Sequence, residues 1–257
     1  MSVLRYLCTC LLLALLLGCE TAPETGRSQL ILFDESEDRA LGLEAFRKIL
    51  SEVEISRDPV LNRRVRRVGM RIARVTPHPD WDWEFVVVED EDPNAWALPG
   101  GKVGVHTGLF KVARNDAQLA AVLGHEIAHA IARHGVERMS QQLLVGLGVL
   151  AVGAATEDED AMQAAALGSL LLISLPFSRA QESEADHIGL LYMARAGYDP
   201  RQAIRLWRNF EKVEKGGKVE FLSTHPSHGS RIRRLERLMP QALAEYRRAL
   251  RRMRSGS

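Results

Sequence analysis

The chain has 257 residues, of which 46% are hydrophobic and 26% charged, and its 34 basic side chains nearly balance 33 acidic ones. These values are ordinary for a globular protein of one or two domains, and they exclude a disordered tail, a multi-span membrane protein and a strongly basic nucleic-acid-binding domain. The three cysteines are Cys8, Cys10 and Cys19, so a cysteine nucleophile or thiolate metal site is excluded for the rest of the chain.

The first residues have the pattern of a secretory signal peptide. A single positive charge, Arg5, precedes an apolar run that is too short to span a bilayer as a helix. The run ends in Leu-Leu-Gly-Cys, which resembles a bacterial lipobox and implies a lipoprotein signal peptide over residues 1–18 and lipidation of Cys19. Residues 19–29 are then expected to be a flexible lipidated tether, and Glu20 implies sorting to the outer membrane, facing the periplasm. An uncleaved anchor is the alternative.

The next segments predict helices followed by a small sheet. Apolar residues at steps of three and four predict helices over residues 35–56 and 59–75, with Asp58 as the N-cap of the second helix. β-Branched and aromatic residues predict three strands, and the last two are expected to form a hairpin. The predicted strands are residues 83–88, 94–98 and 102–106.

The second half of the chain is predicted to be helical. A strong helix is expected over residues 115–133, with Asn115 and Gln118 in a capping box. Two apolar stretches within residues 143–175 are interpreted as a helical hairpin packed on the domain, with membrane insertion or a groove for a partner as alternatives. Further helices are expected over residues 179–196 and 200–214 and from residue 227 onward. The predicted fold class is mainly α with a small β-sheet (α+β).

The strongest chemical signal is His-Glu-Ile-Ala-His at residues 125–129. His125 and His129 stand one helical turn apart, so both imidazoles can reach one metal ion, while Glu126 points about 100° away around the axis. This ligand type suits zinc, and Glu126 is left to accept a proton from water. Two surface histidines on an amphipathic helix are the alternative, but this helix is apolar nearly all round, as a buried helix would be.

A catalytic zinc site needs a third protein ligand and an open position. Ala132 stands where the metzincin pattern requires glycine, which excludes that class. The next candidate is Glu-Ser-Glu-Ala-Asp at residues 182–186, where Glu182 and Asp186 share one helical face. We therefore expect Glu182 to be the third ligand and Asp186 to accept an imidazole N–H of a ligand histidine, with Glu184 as the weaker alternative ligand.

Four motifs in this order together resemble one family, the zinc metalloendopeptidases of the CAAX prenyl proteases and HtpX. The nearest branch resembles the mitochondrial Oma protease and the bacterial periplasmic LoiP and BepA proteins. The motifs are residues 94–101, 125–129, 178–186 and 223–232. The resemblance implies a gluzincin-like metallopeptidase domain over residues 30–240, followed by a basic helical tail at 241–257. It also implies one Zn²⁺ per chain held by His125, His129 and Glu182, with Glu126 as catalytic base.

The resemblance further implies a membrane-anchored periplasmic endopeptidase that cleaves misfolded or unassembled envelope proteins. The membrane contact is expected through the N-terminal lipid, nucleic acid is not expected as a partner, and the oligomeric state is left open. Prenylated substrates are not expected, because the prenyl proteases are multi-span membrane proteins and this chain is not predicted to be one. Two alternatives are a latent zinc-bound chaperone or holdase for outer-membrane proteins and a hydrolase of cell-wall peptides.

Three further side chains near these motifs have expected positions. His225 is a candidate gate or fourth ligand, because some relatives carry a histidine in this segment that caps the zinc, and a structural role is the alternative. Arg231 is expected to orient substrate or to pair with Asp186, with a surface salt bridge as the alternative. His134, five residues beyond His129, is expected to face away from the metal and to be exposed to solvent.

The strand that precedes the histidine helix is a candidate substrate-binding element. Asn94, Ala95 and Trp96 begin this strand, which is expected to present an unpaired edge beside the zinc. An extended peptide can add to such an edge through backbone hydrogen bonds with little sequence selectivity. The alternative is a fully paired strand of the core.

Overall fold

The computed structural model describes residues 19–156, 177–214, 219–225 and 231–255. The predicted signal peptide and the part of the predicted 143–175 hairpin beyond residue 156 lie outside the described residues. In chain order the described elements are β1 (Cys19–Thr21), β2 (Ser28–Leu30), α1 (Glu35–Glu52), α2 (Pro59–Ala73), β3 (Glu84–Val88), β4 (Ala95–Leu98), β5 (Lys102–His106), a short 3₁₀ helix (Thr107–Lys111), α3 (Asp116–Ile131), α4 (His134–Thr156), α5 (Arg179–Arg195), α6 (Arg201–Glu214), α7 (Glu220–Thr224) and α8 (Arg231–Ser255).

The described chain divides into two compact units, which are residues 19–38 with 133–156, and residues 39–132 with 177–255. In the first unit, β1 and β2 pair antiparallel, so that Cys19 lies opposite Leu30. Ala22, in the turn between the two strands, is only 2% exposed. The expectation of a flexible tether over residues 19–29 is therefore corrected, because strand pairing and burial order this segment. Its lipidation stays a prediction.

Arg133 lies between α3 and α4 along the chain. Its φ of 56° is left-handed, which ends the first helix before the second begins. Its guanidinium donates to Asp38 Oδ2 at 2.7 Å and to Glu20 Oε2 at 2.7 Å. His134 is fully buried at the start of α4, so its predicted exposure is wrong. The prediction extended the helical phase of His129 to residue 134, one residue beyond the predicted end of the helix, and the left-handed Arg133 removes that phase relation.

The second unit contains a three-stranded sheet in the order β3-β5-β4. The central strand, β5, runs parallel to β3 and antiparallel to β4. Gly100 and Gly101, with φ values of 78° and 86°, form the turn of the β4–β5 hairpin, a conformation that favours glycine. Among the described residues β4 is therefore an edge strand.

The helix α3 crosses the core of the second unit, as its apolar composition predicts. The side-chain oxygen of Asn115 caps the helix by accepting from the backbone N–H of Gln118 at 2.9 Å. The Gln118 side chain accepts from Arg114 rather than from Asn115, so the predicted capping box is only half formed. Fully buried residues of the helix, such as Leu119 and Leu123, lie in one core cluster with residues of other elements, among them Val65, Val103, Ile188 and Phe210.

The last helix, α8, runs without interruption across the boundary at residue 240 that was expected to separate domain and tail. Ala242 and Ala249 beyond that boundary are buried, so the apolar face of the helix continues to pack. The arginines of its other face are exposed. In the described part of the chain, none of the helices combines the length and apolarity required to cross a bilayer. The mainly α, α+β fold class is confirmed.

Candidate metal centre

Two helices of the second unit supply most of the candidate site. The α3 helix carries His125, Glu126 and His129, and the α5 helix carries Glu182 and Asp186. A complete capping box starts α5 one turn before Glu182, because the Ser178 side chain accepts from the backbone of Gln181 and the Gln181 side chain accepts from the backbone of Ser178. The capping box thus fixes where α5 begins and therefore which face of the helix carries Glu182 and Asp186.

Four buried side chains offer ligand atoms to one point: His125, His129, Glu182 and His225, whose donor atoms all lie within 4.8 Å of one another. The His125 and His129 Nε2 atoms are 3.2 Å apart, and each lies 3.3–3.4 Å from a Glu182 carboxylate oxygen. Three imidazole nitrogens and one carboxylate oxygen are a ligand set that zinc accepts, and burying these groups together is costly without a cation between them. The residues present therefore fit a zinc ion.

Glu126 lies beside this cluster without belonging to it. It is 3% exposed, and its Oε1 lies 3.6 Å from Nε2 of His225. That oxygen accepts no hydrogen bond from the described residues. Burial raises the pKa of the Glu126 carboxyl, and Coulombic interactions with His225, His125 and Arg231 only partly oppose this. The arrangement leaves one carboxylate oxygen available to a polar group that enters the site.

Asp186 lies behind His125, on the side away from the cluster. Its Oδ1 lies 3.1 Å from Nδ1 of His125, the ring nitrogen turned away from the cluster. Burial disfavours a charged His125, but hydrogen bonding and charge from Asp186 and Glu182 outweigh it and raise its pKa to about 9. Burial also disfavours ionised carboxylates, but Arg231 and His125 hold the pKa of Asp186 below its usual range. Hydrogen bonding to His125 and His129 does the same for Glu182.

Arg231 is buried, which excludes the surface salt bridge offered as an alternative. Its Nε donates to Asp186 Oδ2 at 2.9 Å, and its Nη2 donates to Glu182 Oε2. Its guanidinium carbon also lies 3.9 Å from the centre of the Trp207 ring, which supports it from one side. Arg231 thus holds the carboxylates of Glu182 and Asp186, and its role toward substrate stays a prediction.

Sequence reasoning did not identify Arg234, Trp207 or the phenylalanines near the site. Arg234 donates to Asp186 Oδ2 at 3.0 Å, and its spacing of three from Arg231 on one helix was the available signal. Phe221 stacks on the ring of His225 with centroids 4.8 Å apart, and Phe177 approaches His129 with centroids 4.2 Å apart. No pattern in the sequence connects these aromatic residues to the histidines.

His225 follows the short helix α7 and reaches the middle of the cluster. Its Nδ1 lies 2.9 Å from Glu182 Oε1 and 3.3 Å from His125 Nε2. Its Nε2 faces Glu126. The structure therefore places His225 within the ligand set itself, between the candidate base and the carboxylate ligand.

The edge strand β4 lies against α3. Asn94 pairs with the central strand, because its carbonyl accepts from the backbone N–H of His106 at 3.0 Å. In an antiparallel ladder, alternate residues turn their backbone groups away from the partner strand, and here these residues are Ala95 and Ala97. The side chain of Asn94 accepts from the N–H of Ala95 at 2.9 Å. Asn94 and Ala95 are buried, whereas Trp96 and Ala97 are half-buried, so the accessible part of this edge begins at Trp96.

Comparison with known proteins finds several relatives that are named as metalloendopeptidases or proteases. The mitochondrial metalloendopeptidase OMA1 of Schizosaccharomyces pombe is 41% identical over 180 residues, which cover 69% of this chain and 53% of that protein. The human metalloendopeptidase OMA1 is 34% identical, with 87% of this chain and 46% of that protein covered. The beta-barrel assembly-enhancing protease of Escherichia coli is 29% identical, with 84% and 46% covered. The chain thus spans about half the length of these relatives.

A protein-family model also matches most of the chain. The model of peptidase family M48 matches residues 59–239, a range that contains every candidate ligand named above. The family-level resemblance is confirmed, whereas the periplasmic branch is not singled out, because the relatives include mitochondrial and bacterial proteins. This chain belongs to peptidase family M48.

Proposed function

We propose that the chain is a zinc metalloendopeptidase. The observation that carries the proposal is the buried cluster of His125, His129 and Glu182, with the carboxylate of Glu126 directly beside it on the same helix as the two histidines. The names of the relatives agree, because OMA1 is described as a metalloendopeptidase and the bacterial relative as a protease. Catalytic zinc sites of peptidases use this combination of three protein ligands and a neighbouring carboxylate base.

Glu126 performs the proton transfers of the proposed reaction. It removes a proton from the attacking water as the water oxygen bonds to the scissile carbonyl carbon, and it delivers that proton to the amide nitrogen as the C–N bond breaks. A zinc ion bound to the cluster would act as a Lewis acid and lower the pKa of water to about 7. Asp186 keeps His125 oriented through its Nδ1, and Arg231 holds the Glu182 carboxylate in place.

The edge of β4 supports a preference for unfolded substrates. The backbone groups of Ala97, which is half-buried, face away from β5, so an extended peptide can pair with them, and pairing with the buried Ala95 would require the groups that cover it to move. Such pairing reads the backbone rather than the side chains, and only unfolded segments expose a backbone in this form. Asn94 would release the N–H of Ala95 when a substrate carbonyl replaces its side-chain oxygen.

The experiment that tests this function is cleavage of an unfolded protein, such as casein, by the purified chain. Cleavage that a zinc chelator stops and added Zn²⁺ restores is the expected result. The absence of cleavage by zinc-loaded protein, including a variant in which His225 is replaced by alanine, would overturn the proposal.

We also propose that the chain is lipid-anchored at the outer membrane through Cys19 and degrades misfolded or unassembled envelope proteins in the periplasm. The lipobox-like sequence and the bacterial protease relative support this location. Replacement of Cys19 by serine is expected to move the protein from the membrane fraction to the soluble fraction and to abolish labelling with a fatty acid. Cys10→Ser is the matched control. Membrane retention of the Cys19 variant would contradict the lipid anchor.

A latent, substrate-holding form is a second candidate function, favoured by the position of His225. Structural zinc sites are closed by four protein ligands, whereas catalytic sites keep one position open. With His225 in place the cluster has four donors, and its ring occupies the space between Glu126 and Glu182. The open, hydrolytic form would then require His225 to leave the cluster.

His225→Ala is expected to raise basal casein cleavage. If about a tenth of the molecules are open at any time, removal of the fourth donor increases the rate by up to about tenfold. Initial rates at saturating zinc measure the effect, with replacement of the exposed neighbour Ser223 by alanine as the control. An unchanged rate would show that His225 does not limit access, and loss of bound zinc with loss of cleavage would assign it as a required ligand.

A further inference from the structure

The backbones of α3 and α5 touch at one point, where Gly124 faces Gly189. A Cβ atom on Gly189 would lie 2.7 Å from the carbonyl carbon of Gly124 and 2.7 Å from the backbone nitrogen of His125. A Cβ atom on Gly124 would lie 2.8 Å from the carbonyl oxygen of Gly189. The obstructing atoms belong to the backbone, so no change of side-chain rotamer relieves the contact. Any larger residue at either position must push the two helices apart.

The two glycines lie in register with the candidate ligands. Gly124 directly precedes His125 on α3. On α5, Asp186 and Glu182 stand three and seven residues before Gly189, spacings that place all three on one helical face. The distance between the helices at the glycine contact therefore sets the distance between the histidines of one helix and the carboxylates of the other.

The site tolerates little change in that distance. The Glu182 oxygens lie 3.3–3.4 Å from the two histidine Nε2 atoms, and Asp186 lies 3.1 Å from His125 Nδ1. Ala121 and Ala185, one turn before the two glycines on their helices, are small and buried as well. Glycine is otherwise unfavourable inside helices, so its presence on both sides of the contact calls for a packing reason.

We propose that Gly124 and Gly189 are positioning residues of the metal centre, which hold α5 close enough to α3 for Glu182 to share one ion with His125 and His129. This inference rests on the proposed function, because it takes the cluster to be a zinc site. We therefore expect substitution of these two glycines to weaken metal binding, whereas substitution of a glycine packed elsewhere in the fold should not.

The test is the zinc affinity of the full chain, measured by competition with a chromogenic chelator, before and after replacement of Gly189 by alanine. Zinc binding is expected to weaken by about 10–100-fold, the range found when residues that support metal ligands are changed. The Co²⁺-loaded variant is expected to lose the intense visible absorption of a four-coordinate site. If Gly189→Ala binds zinc as tightly as the unaltered chain, the inference is wrong.

Gly42→Ala is the matched control, since a Cβ at Gly42 would lie 2.2 Å from the carbonyl oxygen of Pro99, away from the cluster. Equal weakening of zinc binding by this control would reduce the effect to general destabilisation and overturn the inference.

The added Cβ of Gly124→Ala would lie closer than 3.0 Å to only one atom, so this variant replaces Gly189→Ala in the measurement if Gly189→Ala does not fold. Combined with Glu182→Gln, Gly189→Ala is expected to cause no further loss of affinity, because it acts through that ligand. Failure of the unaltered chain to bind zinc would instead contradict the proposed function.

Discussion

Glu126→Gln is expected to lower chelator-sensitive casein cleavage by about 10²–10⁴-fold, the range that a positioned general base contributes. Glutamine has nearly the same shape but cannot accept the proton of the attacking water. The buried Glu126 carboxylate is not one of the clustered donors, so zinc should remain bound to the variant. Initial rates on casein and zinc content per chain measure the two expectations separately.

The control for this variant is Glu211→Gln, which removes a carboxylate from the exposed face of α6. Its cleavage rate should equal that of the unaltered chain. Substantial cleavage by the Glu126 variant would assign the base to another group and refute the proposed proton transfers. Loss of zinc along with loss of cleavage would show instead that Glu126 stabilises the bound ion.

Glu182→Gln is expected to weaken zinc binding by at least about 100-fold, because a neutral amide oxygen is a much poorer ligand than a carboxylate. The change also leaves the buried guanidinium of Arg231 with Asp186 as its remaining carboxylate partner. Breaking a buried ion pair costs about 3–5 kcal/mol, so the free energy of unfolding should fall as well. Chelator competition measures the first effect and urea denaturation the second.

Glu184→Gln is the informative control because Glu184 is the alternative ligand within the same motif. It is buried on α5 but does not belong to the donor cluster. Its zinc affinity should stay within about threefold of the unaltered value, as expected for a change outside the ligand set. If Glu184→Gln loses zinc and Glu182→Gln does not, the third ligand has been assigned to the wrong residue.

The sequence predicts those parts of the molecule that local rules control. The spacing of His125 and His129, the shared face of Glu182 and Asp186 and the cap at Asn115 all follow from helical periodicity and capping chemistry. The hairpin around the glycine pair after β4 follows from turn chemistry. These features require no knowledge of how distant segments pack.

The remaining features depend on contacts that no local pattern encodes. Arg231 is buried rather than exposed because its helix packs against α5, where it meets two carboxylates and the ring of Trp207. His134 is buried although the helical phase of His129 predicts exposure, because the left-handed Arg133 breaks that phase before the next helix begins. The contact of Gly124 with Gly189 is likewise visible only once the two helices are placed together.

The wide separation of the cluster donors along the chain would couple zinc binding to folding. His225 lies 43 residues after Glu182 and 100 residues after His125, so an unfolded chain must close long loops before it can present the same four donors. A zinc ion bound to the four donors would therefore favour the native state, and mass action would add up to about 1.4 kcal/mol to the free energy of unfolding for each tenfold rise in free zinc above the dissociation constant. If the chain has the proposed function, loss of zinc would lower the stability of the fold as well as remove the activity.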